Sequence, residues 1–260
     1  MKRTLTILGC TLVLVLACGA PTALTPTAIP SPVFLPTETA LPLPTATLEP
    51  TATSTAVPTA TPAGQIFRDD FANQPGPGWR WENENPSRWS ITPDGWLQII
   101  AEDGGILAGE KQSNLLWRDL PSGDFAISVH VKTQPTTNFQ QAAIFLYDDI
   151  NNYVAINRGF CAPCFTGQDG NGIYMDYKIN GQGSAYKLHV DQTDVYLRLV
   201  FQDNVIAAYY ALAPEAWQRL GRFGNYFQFQ QVGLGAANLD KTNQNEDLAA
   251  QYDYFEISKP

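Results

Sequence analysis

From about Gly64 onward, apolar and polar side chains alternate in short runs, and helical periodicity is nearly absent. Residues 125–131 and 142–147 alternate cleanly; 153–157, 172–178, 195–201, 205–210, 231–236 and 250–257 follow. A period of two sends successive side chains to opposite faces of a strand. Turn-forming clusters such as 148–152 and 202–204 separate the runs. Many short strands at roughly ten-residue spacing predict an all-β, antiparallel sandwich or barrel. The one helical candidate, 213–220, is short and flanked by proline, and reads as a loop carrying Trp217.

Alternation also sorts the faces. In 195–201, Val195, Leu197, Leu199 and Phe201 form an apolar face, leaving Tyr196 and Arg198 opposite. In 141–147, Ile144 and Leu146 read as core, leaving Gln141, Ala143, Phe145 and Tyr147 opposite. A sheet whose second face carries amides, aromatic rings and a guanidinium suits sugars. Rings stack on apolar C–H faces, and the polar groups reach hydroxyls. The competing reading makes these rings a second packing layer.

Composition changes abruptly before Gly64. Residues 18–63 are almost entirely Pro, Thr and Ala, with no sustained period. Prolines every few residues forbid helices and sheet ladders, so a disordered, extended tether is expected. At roughly 3.1 Å per residue it reaches on the order of 100 Å. Ahead of it, Lys2 and Arg3 precede an apolar run from Leu5 to Leu16 that is too short for a permanent membrane span. The run ends in Val15-Leu16-Ala17-Cys18, which resembles the bacterial lipoprotein signal. That resemblance implies a signal peptide over 1–17, lipidation of Cys18, and an extracytoplasmic, membrane-anchored protein at the cell surface or in the periplasm. The alternative is an ordinary secretory signal cleaved near Ala20.

A net charge of −9 without a basic stripe argues against nucleic acid. It also leaves the N-terminal lipid as the route to a membrane. Cys161 and Cys164 form a Cys-x-x-Cys pair, readable as a redox site, half a zinc site or a disulfide. Glycine-rich flanks, and the lack of matching spacing to His130 or His189, favour a disulfide stapling a loop.

The stretch after the tether carries a family resemblance. Phe67-Arg-Asp-Asp-Phe71, Gly78-Trp-Arg-Trp81 through Arg88-Trp89-Ser90, and Asp94-Gly-Trp-Leu-Gln-Ile99 open it. Residues 139–149, 196–200, 208–210, 217–221 and 252–257 continue it in order. Together they resemble the concanavalin A-like jelly-roll sandwich appended to family 43 β-xylosidases, over 64–260. The loop between Cys161 and Gly172 departs from that pattern.

The fold implied hosts both lectin-like binders and glycanases. Glucanases of this superfamily carry Glu-x-Asp-x-x-Glu or Glu-x-Asp-x-Glu on one strand, and neither occurs here. The expectation is therefore a non-catalytic carbohydrate-binding module with a polysaccharide or glycan as partner. The alternatives are a surface glycoside hydrolase or lyase using Glu82, Glu84 or Asp149, and a structural envelope protein without a sugar ligand. Trp81 and Trp89 are the expected stacking platforms, with Gln141, Tyr147, Tyr196 and Arg198 lining one concave face. Trp79 and Trp96 read as core. No cofactor is required; the resemblance implies a structural calcium where the first and last strands meet, with Asp70 and Asp253 as ligands.

Overall fold

The structure, a computed structural model, describes residues 64–240 and 247–260. The expected signal peptide, Cys18 and tether lie outside the described residues. Fifteen strands are described: β1 (Gln65–Asp69), β2 (Arg80–Glu82), β3 (Trp89–Ile91), β4 (Leu97–Ile100), β5 (Leu115–Asp119), β6 (Phe125–Thr133), β7 (Gln140–Asp149) and β8 (Asn152–Phe160) come first. β9 (Asn171–Ile179), β10 (Gln182–His189), β11 (Asp194–Gln202), β12 (Val205–Ala211), β13 (Gln218–Gly224), β14 (Gln231–Asn238) and β15 (Ala249–Ser258) complete the set. All eight expected strands are present.

The strands form two antiparallel sheets. The first runs β13-β12-β11-β6-β15-β4-β3, with β1 also on β15. The second runs β10-β9-β8-β7-β14-β5-β2. Their inner faces interdigitate. Ile127, Val129, Leu197, Leu199 and Phe255 of the first meet Ile144, Leu146, Val154, Ile156 and Leu234 of the second. Tyr252 is completely buried between them, and its hydroxyl donates to the Gly235 carbonyl at 2.8 Å.

Turn chemistry sets the register where the chain doubles back. Asp203 and Asn204 both hold positive φ between the paired residues Gln202 and Val205, as a two-residue hairpin matching strand twist requires. Asn180-Gly181 does the same between Ile179 and Gln182. The pattern reading did not include seven strands: the short β1 to β5, and β10 and β13, both edge strands rich in glycine and polar residues. An edge strand buries too little for strict alternation. Tyr186 ties these two edges together, lying on Gly221 of β13 and donating its hydroxyl to the Arg222 carbonyl at 2.8 Å.

At one end of the sandwich a cation is fully enclosed. Arg158 of β8 has no solvent exposure. It donates to the carbonyls of Gln192 (2.8 Å), Gly159 (2.8 Å) and Gly172 (3.3 Å), and to the Asn171 side-chain oxygen (2.8 Å). Burial lowers its pKa, and nearby Tyr174, Asp191 and Asp169 act in the opposite sense. Asn171 passes the contact outward to Asp169 (3.0 Å), which meets His189 at 3.0 Å. Asp169 is held down at about 2 by the backbone N–H and side chain of Asn171 and by His189.

Removing the guanidinium leaves this ring of acceptors without donors. Arg158→Met is expected to destabilise the domain by about 3 kcal/mol, read as a lowered urea midpoint. An unchanged midpoint would show that the ring contributes nothing.

Candidate functional site

The outer face of the second sheet is where pattern and geometry converge. Ala143, Phe145 and Tyr147 of β7 point away from the core, as alternation predicts. They are only partly free. A short 3₁₀ turn, Ile106–Ala108, lays Ile106 with Leu115, Trp117, Ala143, Phe145 and Ala155 in a second apolar cluster. Both readings of this face thus hold in part: its centre is a packing layer, and its flanks are open.

On one flank is a pocket of about 220 Å³. Three neighbouring strands supply its polar groups, Gln141 from β7, Asn157 from β8 and Asp176 from β9. Asn157 donates from its amide to Asp176 at 3.4 Å. Gln141 is 6% exposed, and its side-chain nitrogen has no hydrogen-bond partner among the described residues. Desolvation raises the Asp176 pKa, and the Asn157 bond opposes that rise. Tyr153, Phe160 and Tyr174 add aromatic surface, and Leu107 and Leu239 close one side. Burial pushes the Tyr174 hydroxyl up to about 12; it donates to the Gly170 carbonyl at 2.6 Å.

The loop after β8 finishes the wall. Cys161 and Cys164 are joined in a disulfide and both line the pocket. At the rim Phe139 is 46% exposed with φ of 64°. A bulky side chain in the left-handed region is strained, and such strain concentrates at functional positions. Its backbone is held by a bond to the Phe160 carbonyl (2.8 Å) and one from the Leu239 N–H (3.2 Å).

On the other flank is a wider, acidic cleft of about 700 Å³. Glu82, Glu110, Asp148, Asp149, Trp117 and Tyr147 are among the residues lining it. Trp117 lies flat over Gly233, where a side chain would collide with the ring, and its indole N–H donates to Glu82. Desolvation raises the Tyr147 pKa, reinforced by Asp149, Glu82 and Asp148. Asp149 also caps a turn through the Asn151 N–H. Glu84 accepts the Trp89 indole N–H and is not part of the cleft lining.

Other expected site residues lie elsewhere. Tyr196 and Arg198 stand on the outer face of the first sheet, so they do not share a face with Gln141 and Tyr147. Tyr196 stacks on His130 at 4.1 Å, and Arg198 sits over Trp217 at 5.5 Å. Trp81 and Trp89 pack on each other at 4.9 Å and against the main core, so they join the sheets instead of offering platforms. Trp79 belongs to the core margin as expected, but Trp96 does not; its ring lies 4.9 Å from His130 on the outer face.

Asp70 pairs with Arg68 at 2.7 Å, whereas Asp253 meets His130 Nδ1 at 2.9 Å. Each expected calcium ligand thus has a cationic or imidazole partner. The adjacent Asp69 organises the turn that follows β1, accepting from the Phe71 and Gly76 N–H groups and the Trp79 indole. Among the described residues, Asp169, His189 and Asp191 bring three metal-type side chains together, as the outer end of the Arg158 network.

Asn157, Asp176, Tyr153 and Tyr174 were absent from the expected site. Alternation within 153–157 and 172–178 puts each on the side opposite the core residues Val154, Ile156, Ile173 and Met175. That signal was legible; what joined them to Gln141 was strand pairing.

The family profile for the β-xylosidase C-terminal concanavalin A-like domain matches residues 68–258. Among solved structures, the GH43 protein BlXynB of Bacillus licheniformis is 21% identical with a TM-score of 0.62. The alignment covers 74% of this chain and 39% of that one. Xylan β-1,4-xylosidase of Bacillus halodurans is 19% identical with a TM-score of 0.60, over 74% and 39% respectively. The Bacillus licheniformis β-glucanase is 15% identical with a TM-score of 0.56, over 77% of this chain and 100% of that one. These likenesses establish the fold, and this chain spans about two fifths of the first two of these structures. No curated protein sequence matches it. The chain belongs to the β-xylosidase C-terminal concanavalin A-like domain family.

Proposed function

We propose that this protein is a surface lipoprotein whose sandwich binds carbohydrate without cleaving it, and that the pocket built by Gln141, Asn157 and Asp176 is the binding site. By family, the domain is a carbohydrate-related β-sandwich. The observation that carries the reading is the buried, unpartnered amide of Gln141 beside a half-buried carboxyl and aromatic rings. A buried donor without an acceptor costs about 1–3 kcal/mol. A sugar hydroxyl entering the pocket supplies the missing acceptor, and Asp176 accepts a hydrogen bond from a hydroxyl in return. Xylan is the first polysaccharide to test, because one structural neighbour is named a xylan β-1,4-xylosidase.

Hydrolysis is the second reading, favoured by one observation: Glu82 and Asp149 line the same cleft beside Trp117 and Tyr147. Glycosidases use two carboxyl groups flanking the bond they cut. Support for the anchor is confined to the sequence ending at Cys18.

In affinity electrophoresis through a panel of neutral polysaccharides, the full chain is expected to be retarded by at least one. Gln141→Ala is expected to weaken that binding about tenfold, the equivalent of one hydrogen bond worth about 1.4 kcal/mol. Absence of retardation throughout the panel would sink the binding reading. Release of reducing ends, abolished by Glu82→Gln or Asp149→Asn, would establish the enzyme instead.

Asp176 also sets a pH dependence. Its folded pKa is raised, so ionisation favours the unfolded chain. The penalty is absent below the unfolded carboxylate range, grows as pH rises towards the folded value, and is complete above it. Asp176→Asn is therefore expected to raise the Tm at pH 7 and to match wild type in acid. A variant less stable than wild type at pH 7 contradicts this. For the anchor, radiolabelled palmitate is expected to enter the wild-type protein in a bacterial host and not Cys18→Ser; equal labelling removes Cys18 as the acceptor.

A further inference from the structure

The pocket has a definite shape and a definite charge. Its floor crosses three strands diagonally, from Gln141 through Asn157 to Asp176, because Ala143 pairs with Asn157 and Ala155 with Asp176. It is hemmed in by Leu107 and Leu239 on one side and by the disulfide on another. Beyond Leu107 the same 3₁₀ turn continues as Ile106 packed with Phe145, a ridge at the centre of the sheet. A glycan chain entering the pocket meets this ridge before it can reach the acidic cleft.

Among the described residues, the pocket lining contains one carboxylate and no Lys, Arg or His. Lys178, two residues along β9 from Asp176, holds its ammonium 5.7 Å from the Tyr153 ring centre and is not part of the lining. Its side chains thus include the unpartnered amide nitrogen of Gln141, the Asp176 carboxyl and the rings of Phe139, Tyr153, Phe160 and Tyr174. Adjacent hydroxyls on a pyranose match that set: one accepts from Gln141 while its neighbour donates to Asp176. A sugar carboxylate would instead face Asp176 in a partly desolvated site, where like charges repel strongly; the Arg158 guanidinium nearby already has its donors committed to Gln192, Gly159, Gly172 and Asn171.

Building on the glycan-binding reading of this face, we infer that the pocket receives a single neutral sugar residue at the end of a glycan chain and rejects acidic sugars. The ridge and the disulfide wall limit occupancy to a chain end, and Asp176 selects for neutrality. Gln141 and Asn157 set orientation.

Isothermal titration calorimetry of the full chain at pH 7 tests this with matched probes: glucose against glucuronic acid, galactose against galacturonic acid, and xylose, xylobiose and xylohexaose. At least one neutral sugar is expected to bind at least tenfold more tightly than its uronic acid. Xylohexaose is expected to bind within about threefold of xylobiose. Asp176→Asn is expected to narrow the neutral-to-acidic gap, and a gap left unchanged overturns Asp176 as its source. A uronic acid bound as tightly as its neutral counterpart overturns the charge selection. Affinity rising tenfold or more from xylobiose to xylohexaose overturns chain-end recognition. If no sugar in the panel binds, the glycan-binding reading itself fails, a result distinct from either of the others.

Discussion

The enclosed guanidinium of Arg158 is the constraint around which the pocket end of this sandwich is organised. A fully buried charge is tolerated only when its donors are met by acceptors at close range. Here the acceptors are the carbonyls of Gly159, Gly172 and Gln192 and the side chain of Asn171. Satisfying one cation therefore fixes the ends of β8 and β9 and the crossing from β10 to β11. The loop between β8 and β9 leaves from that anchored pair. Its disulfide and the Cys161 N–H bond to the Gly170 carbonyl (2.8 Å) close it as the pocket wall. Arg158 thus steadies the pocket through the strand that lines it, following Asn157 on β8 and donating to the Gly159 carbonyl.

A second constraint is apolar. By seating Ile106 with Phe145, the turn before β5 uses the centre of the outer face for packing. Two basins of unlike chemistry remain. One is small and aromatic and holds the unpartnered amide nitrogen of Gln141; the other is wide and acidic. The one turn borders both, Leu107 lining the pocket and Ile106 the cleft.

The aromatic residues show how far sequence pattern carries. Six tryptophans in an acidic, glycan-family domain invite assignment as sugar platforms. Trp81 and Trp89 instead close the joint between sheets, while Trp79 packs edge-on to Phe255 at 4.8 Å. Trp96 covers His130, whose two ring nitrogens face Asp253 and Asp194. Asp253 reaches that ring because β15 carries a bulge between Tyr252 and Tyr254. A one-residue insertion of this kind re-aims a side chain, and periodicity has no register for it.

What the sequence determined alone was local: which segments are strands, where they turn, and which residues of each face away from the core. Gln141 was identified that way, and so were the alternating partners of Tyr196. Period-two alternation is a property of single strands, so it carries no information about which sheet a strand joins. That choice rests on pairings between distant segments, β7 with β14 and β11 with β6. Tertiary structure therefore separated Gln141 and Tyr147 from Tyr196 and Arg198, and brought Asn157 and Asp176 to Gln141. A binding surface in a sandwich is made by neighbours across strands, and only the folded chain supplies those neighbours.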